Sequence, residues 1–161
     1  MKEKFKQAYM KTAETFAELS HARRLHVGAI VVKDDRIISI GYNGMPAGWD
    51  NNCEDRVYAN EWSIDNNEWQ YTDETGKPYN LKTKPEVLHA ESNAIAKLAR
   101  SNDSGMGADL FVTHAPCLQC SKLIFQSGIN RVFYGEEYRD DAGIRFLRQS
   151  GITVTKVDND E

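Results

Sequence analysis

Two short motifs constrain this chain more than anything else in it: His89-Ala90-Glu91 and, further along, Pro116-Cys117-Leu118-Gln119-Cys120. One imidazole and two thiols suit a soft, tetrahedral ion, Zn2+ above all. Cys117 and Cys120 stand three apart at a helix start, so they share a face and can reach one ion. The positive end of that helix favours thiolate, and Pro116 just ahead of it costs no helical hydrogen bond. His89 is read as opening the preceding helix. Two Cys and one His leave the fourth tetrahedral position to water, as a catalytic zinc requires. Residues two apart in a helix point about 200° apart, so His89 and Glu91 flank that water from different directions. Glu91 is thus a general acid/base rather than a fourth ligand.

Either half alone is ambiguous. A C-x-x-C in an α/β protein is as readily a redox motif, and His-x-Glu is an ordinary acidic helix start. A redox pair has no need of an H-x-E, however, and a structural zinc normally shows a fourth Cys or His. The three cysteines do not suggest a secreted disulfide framework. No apolar run approaches the ~20 residues that span a bilayer, and no signal-peptide core follows the basic Met1–Lys6. The expectation is a cytoplasmic protein, or one in the host cytoplasm if viral. Its 161 residues suit one domain over 1–161. The net charge of −4, with both signs interspersed, offers no basic surface for long nucleic acid. It still allows a mononucleotide, for which one or two arginines suffice.

Phe5, Ala8, Tyr9, Phe16 and Leu19 recur at helical spacing and predict a first helix over 3–19. Residues 27–41 read as a β-hairpin turning at Asp34-Asp35. Residues 41–48 are dense in turn formers, and their glycines permit close approach to a ligand. The polar stretch 49–85 holds Trp49, Trp62 and Trp69 and shows no strong period. It reads as a surface insertion with a turn at 75–78, a helical reading open for 54–61, and a role as subunit contact or lid. Helices follow over 87–100, 117–127 and 141–149, with strands over 109–113, 131–134 and 153–157. The order α-β-β-α-β-α-β-α-β predicts an α/β fold. It has a five-stranded mixed sheet, parallel where helices connect the strands, with helices on both faces.

H-x-E followed by P-C-x-x-C is the signature of zinc deaminases. The chain resembles the cytidine deaminase superfamily, and within it the deoxycytidylate (dCMP) deaminases. Beyond the zinc motif the resemblance rests on Arg23-Arg24-Leu25-His26-Val27-Gly28-Ala29, on Gly41-Tyr42-Asn43-Gly44-Met45-Pro46-Ala47-Gly48 and on Thr113-His114-Ala115-Pro116-Cys117. It implies the three-layer cytidine-deaminase-like fold. Its last two strands are parallel, as in deaminases of nucleotides and nucleic acids rather than of free cytidine. It further implies hydrolysis of dCMP to dUMP and ammonia, supplying thymidylate synthesis, with water activated by zinc attacking C4. Glu91 would protonate N3 and then the leaving amino group.

By the same resemblance the Ala90 amide would hold the pyrimidine O2 and the Ala115 carbonyl the 4-amino group, with Asn43 on sugar or base. Arg23 and Tyr138 are candidates for the phosphate. Arg23 and Arg24 are equally open to a surface or subunit role, and Tyr42 and Tyr138 to that of core or rim aromatics. Members are commonly homohexamers activated by dCTP and inhibited by dTTP, with Mg2+ accompanying the effector nucleotide. Tyr42, Gly44 and Gly48 are effector candidates. Some viral members carry a second, structural zinc. Here Cys53 is present and His21 could join it, but Ala22 and Val87 offer no ligand, so a second zinc is not expected. Competing readings are a deaminase of dCTP, of tRNA or of single-stranded nucleic acid, and a non-catalytic zinc-binding module in which Glu91 has no use.

Overall fold

β-Branched Ile30, Val31 and Val32 bury the first strand of the hairpin in the core. The computed structural model, which describes residues 1–59 and 69–159, places helix α1 at Glu3–Ala17 and strands β1 and β2 at Gly28–Lys33 and Arg36–Tyr42. Asp34 and Asp35 take left-handed backbone angles (φ 51° and 58°) in the two-residue turn between them. That geometry matches the twist of the flanking strands, and Asp tolerates it better than most residues.

Strands β3 (Glu54–Tyr58), β4 (Tyr71–Thr72) and β5 (Pro78–Thr83) come next, followed by α2 (Ala90–Ala99) and β6 (Asp109–His114). The chain then runs through α3 (Leu118–Gln126), β7 (Arg131–Glu136), α4 (Ala142–Gln149) and β8 (Thr153–Lys156). The main sheet has the order β2-β1-β6-β7-β8. β1 is antiparallel to both neighbours, whereas β6, β7 and β8 are mutually parallel. The mixed sheet and the parallel last pair are as expected.

Helix α1 covers one face, burying Met10 and Ala13 against Ile30, Val32, Phe111 and Phe133. The Phe111 and Phe133 rings stack with centroids 4.6 Å apart. The other helices cover the opposite face. Ala90, Ala94, Leu98, Ile124, Ile144 and Leu147 meet Val31, Leu110, Val112 and Val132 there. Removing a side chain such as Phe111 from so dry a core costs about 3–5 kcal/mol. No helix among the described residues is long and apolar enough to cross a membrane.

Three expectations need correction. The stretch at 49–85 is not without regular structure: it carries a separate three-stranded antiparallel sheet, β3-β5-β4. The segment from Glu54 is a strand, not a helix, because its backbone pairs with β5 from Glu54↔Thr83 to Tyr58↔Tyr79. Glu61 and Trp62 lie outside the described residues. The second helix starts at Ala90 rather than Val87. Leu88 exchanges two backbone hydrogen bonds with Gly44 (3.1 and 2.8 Å), which holds that segment extended up to the helix.

Candidate active site

Two of the three candidate metal ligands sit on residues that precede helices. His89 is the N-cap of α2 with extended backbone (φ −79°, ψ 152°), and Cys117 is the extended N-cap of α3. His89 is therefore outside the helix, and helical rotation does not set its direction relative to Glu91. Cys117 Sγ accepts the Cys120 backbone N–H at 3.5 Å, so one ligand caps the helix that carries the other.

His89 Nδ1 lies 3.6 Å from Cys117 Sγ and 3.4 Å from Cys120 Sγ. All three ligand atoms fall within 4.8 Å of one another. Zinc bonds of ordinary length at a tetrahedral angle put nitrogen and sulfur about 3.6 Å apart, so the set fits zinc. The thiols divide a proton unevenly. Cys117 is held down to about 4, first by the Cys120 thiol hydrogen bond and then by His89. Cys120 is pushed up by the same bond to Cys117 and by burial. His89 is raised, chiefly by its hydrogen bond with Cys117. A divalent cation would take both sulfurs as thiolates.

Glu91, in the first turn of α2, is only 4% exposed. Burial raises its pKa, opposed by a backbone hydrogen bond, the His89 charge and a Cys120 hydrogen bond. A carboxyl whose protonated form is favoured by burial, beside the candidate metal ligands, is placed to take up and give up a proton, as a general acid/base must.

Above these residues opens a cavity of about 370 Å3, within the range of small-molecule sites. His89, Ala90, Glu91, Ala115 and Cys117 line it, and Asn43, Arg24, Tyr138 and Arg139 lie among its other lining residues. Residues 3–136 match the family model for the cytidine and deoxycytidylate deaminase zinc-binding region. This chain belongs to that family. ComE operon protein 2 of Bacillus subtilis is 35% identical over 96% of this chain and 72% of its own length. The human deoxycytidylate deaminase is 34% identical over 92% of this chain and 76% of its own. Among solved structures, the dCMP deaminase of cyanophage S-TIM5 in complex with dCMP and dUMP superposes with a TM-score of 0.79. It is 44% identical, covering 97% of this chain and 98% of that one.

The remaining candidates of this deaminase-family site divide into those at the cavity and those away from it. Asn43 lines it and is held rigidly: its Oδ1 accepts from Val27 N (2.9 Å) and its Nδ2 donates to Leu25 O (2.8 Å). Ala90 and Ala115 are buried in the wall, and Ala115 N donates to Glu136 O at 2.8 Å. Tyr138 also lines it. Arg23 does not: it donates to Asn52 Oδ1 (2.8 Å) and pairs with Glu54 (3.3 Å) instead. Tyr42, Gly44 and Gly48 stand outside the lining. Cys53 is buried with Ala22, Val87 and Met45 and donates to Asn51 O at 3.5 Å, while His21 is exposed.

Charged residues absent from the sequence-derived set also line the cavity: Arg24, Arg139, His114, Glu54, Glu136 and Glu137. Two of the glutamates are matched by a cation, while Glu136 faces an imidazole whose burial disfavours its charged form. Glu54 pairs with Arg23, Glu136 with His114 (3.3 Å) and Glu137 with Lys156 (3.8 Å). Among the described residues, Arg24 and Arg139 take part in no ion pair. These two arginines offer positive charge to the cavity and suit an anionic group. The only hint in sequence is adjacency, since Arg24 and Arg139 directly follow the selected Arg23 and Tyr138.

Proposed function

We propose that this protein deaminates dCMP to dUMP and ammonia by hydrolysis. The observation that carries the reading is the lining of one cavity. His89 and Cys117 of a zinc-fitting triad, the buried Glu91 carboxyl, and two arginines that form no ion pair among the described residues all line it. The relatives support it: the human one is a deoxycytidylate deaminase, and the cyanophage structure is in complex with dCMP and dUMP.

His89, Cys117 and Cys120 would hold zinc, which supplies an acidified water for addition at C4 of the cytosine ring. Glu91 carries the proton lost in that addition to N3. It then takes the remaining proton from the C4 hydroxyl and delivers it to the 4-amino group as the C4–N bond breaks and ammonia departs. Ala90 N belongs to a first helical turn, whose N–H groups have no intrahelical partner, and is assigned to the pyrimidine O2. The Ala115 carbonyl is assigned to the amino group and Asn43 to the sugar or base. Arg24 and Arg139, with Tyr138, are assigned to the 5′-phosphate in place of Arg23, whose guanidinium is taken by Glu54 and Asn52.

Activation by dCTP, inhibition by dTTP, Mg2+ with the effector at Tyr42, Gly44 and Gly48, a homohexamer and a cytoplasmic location complete the proposal. They rest on family resemblance alone.

The test is ammonia release by zinc-loaded protein offered dCMP, deoxycytidine, cytidine, dCTP with Mg2+ and a cytosine-containing oligonucleotide. The reading requires dCMP to be the best substrate. It is wrong if dCMP, also with dCTP and Mg2+ present, is untouched while another substrate turns over.

A further inference from the structure

We infer that the three-stranded sheet formed within residues 49–85 is part of the nucleotide site. Through Glu54 and Thr83 it holds Arg24 at the cavity and thereby sets the preference for a 5′-phosphate. The inference rests on the dCMP reading above and gives the added sheet a role within it.

Glu54 and Thr83 are partners on one rung of the β3·β5 ladder, and both line the cavity. Glu54 is a carboxylate only 1% exposed, and the proposed chemistry makes no use of it. Its Oε1 accepts from the backbone N–H groups of Arg23 (2.7 Å) and Arg24 (3.1 Å), and its Oε2 from Arg23 Nε (3.3 Å). A buried carboxylate with this many donors fixes the segment that supplies them. Across the rung, Thr83 Oγ1 accepts from Arg24 Nη1 at 3.0 Å.

Glu54 therefore fixes where Arg24 leaves the backbone, and Thr83 fixes where its guanidinium ends. Arg23 saturates Glu54, so the carboxylate does not neutralise Arg24, which keeps its charge for a ligand. An arginine oriented before binding loses less side-chain freedom when it meets a phosphate than one left to rotate. Glu54 and Thr83 are positioning residues. They act on substrate through Arg24.

The experiment compares dCMP with deoxycytidine, which lacks the phosphate, in wild type, Thr83→Val, Thr83→Ser and Glu54→Gln. Valine keeps the shape of threonine and removes the acceptor, whereas serine keeps the hydroxyl. Thr83→Val should raise KM for dCMP about tenfold with kcat within about twofold, on the scale of one charge-assisted hydrogen bond. The ratio of kcat/KM for dCMP over deoxycytidine should fall by the same factor, and Thr83→Ser should restore it. Glu54→Gln, where it folds, should lower the ratio further.

A ratio that stays at the wild-type value in Thr83→Val overturns the inference, as does an equal loss on both substrates or a failure of serine to rescue. Wild-type protein that turns over neither substrate, or shows no preference for dCMP, overturns the functional reading and this inference with it. A wild type that prefers dCMP, with variants that keep that preference, sinks the inference alone.

Discussion

Gly143 of α4 lies directly against the Pro116 carbonyl: a Cβ at this position would run into that oxygen and come within 2.9 Å of the Cys117 carbonyl carbon. Any side chain here pushes α4 away from the turn that carries a zinc ligand. Gly143→Ala should weaken zinc binding about tenfold and lower stability by about 1–3 kcal/mol, the usual effect of overpacking. Chelator competition and denaturant titration measure the two. Gly44→Ala serves as comparison, since a Cβ at Gly44 meets nothing within 4 Å. If both variants bind zinc equally well, the α4 contact has no part in setting the ligand turn.

Glu91→Gln keeps the shape of the side chain and removes its ability to carry a proton. Zinc content should remain full while kcat on dCMP falls about a thousandfold, the scale of general acid–base catalysis. Metal analysis alongside steady-state rates is decisive. Residual activity near wild type would show that protons travel by another route.

Cys117→Ser should lose zinc, because a hydroxyl is a poor match for an ion held by thiolates. Chelation of the wild type should abolish turnover, and added Zn2+ should restore it. Full zinc occupancy in the serine variant would contradict the ligand set.

Arg24→Gln and Arg139→Gln should each raise KM for dCMP by about tenfold or more, since each removes a charge-assisted contact to phosphate. Arg23→Gln should act more weakly on KM, because its guanidinium contacts Glu54 and Asn52 and not the cavity. A larger effect at Arg23 than at Arg24 would reverse this assignment.

Asp109 and Arg131 form a two-pronged pair at the start of β6 and β7, with bonds of 2.7 and 2.6 Å. The Asp109 side chain is only 9% exposed. Arg131→Leu strands that carboxylate and should lower stability by about 2 kcal/mol, as loss of one partner of a half-buried pair does. Denaturant midpoints for this variant and for Asp109→Asn with Arg131→Leu test it. The double variant should recover part of the loss.

The cluster of His89, Cys117 and Cys120 was readable in sequence because ligand identity and short spacing are local. The hairpin and the parallel end of the sheet were readable because β-branched runs and helix crossovers leave periodic patterns. What lay hidden depends on contacts made far along the chain. The bridge between Leu88 and Gly44 keeps His89 out of its helix, and nothing beside His89 announces it. The strand at Glu54 forms because Thr83 and its neighbours pair with it. Adjacent Arg23 and Arg24 look alike until Glu54 claims the first side chain. Gly41 also changes meaning. It lies in β2, where a Cβ would strike the Ala90 carbonyl oxygen, so its small size serves helix packing rather than contact with a ligand.

His89 and Cys117 both belong to the last residue before a helix, so the metal site is set by where α2 and α3 begin. Their far ends are under no such demand. The exposed segment around Ser101–Ser104, between α2 and β6, emerges opposite the ligand-bearing ends. A tag, a fluorophore or a second protein inserted there would leave the chemistry at the other end of the same helices undisturbed.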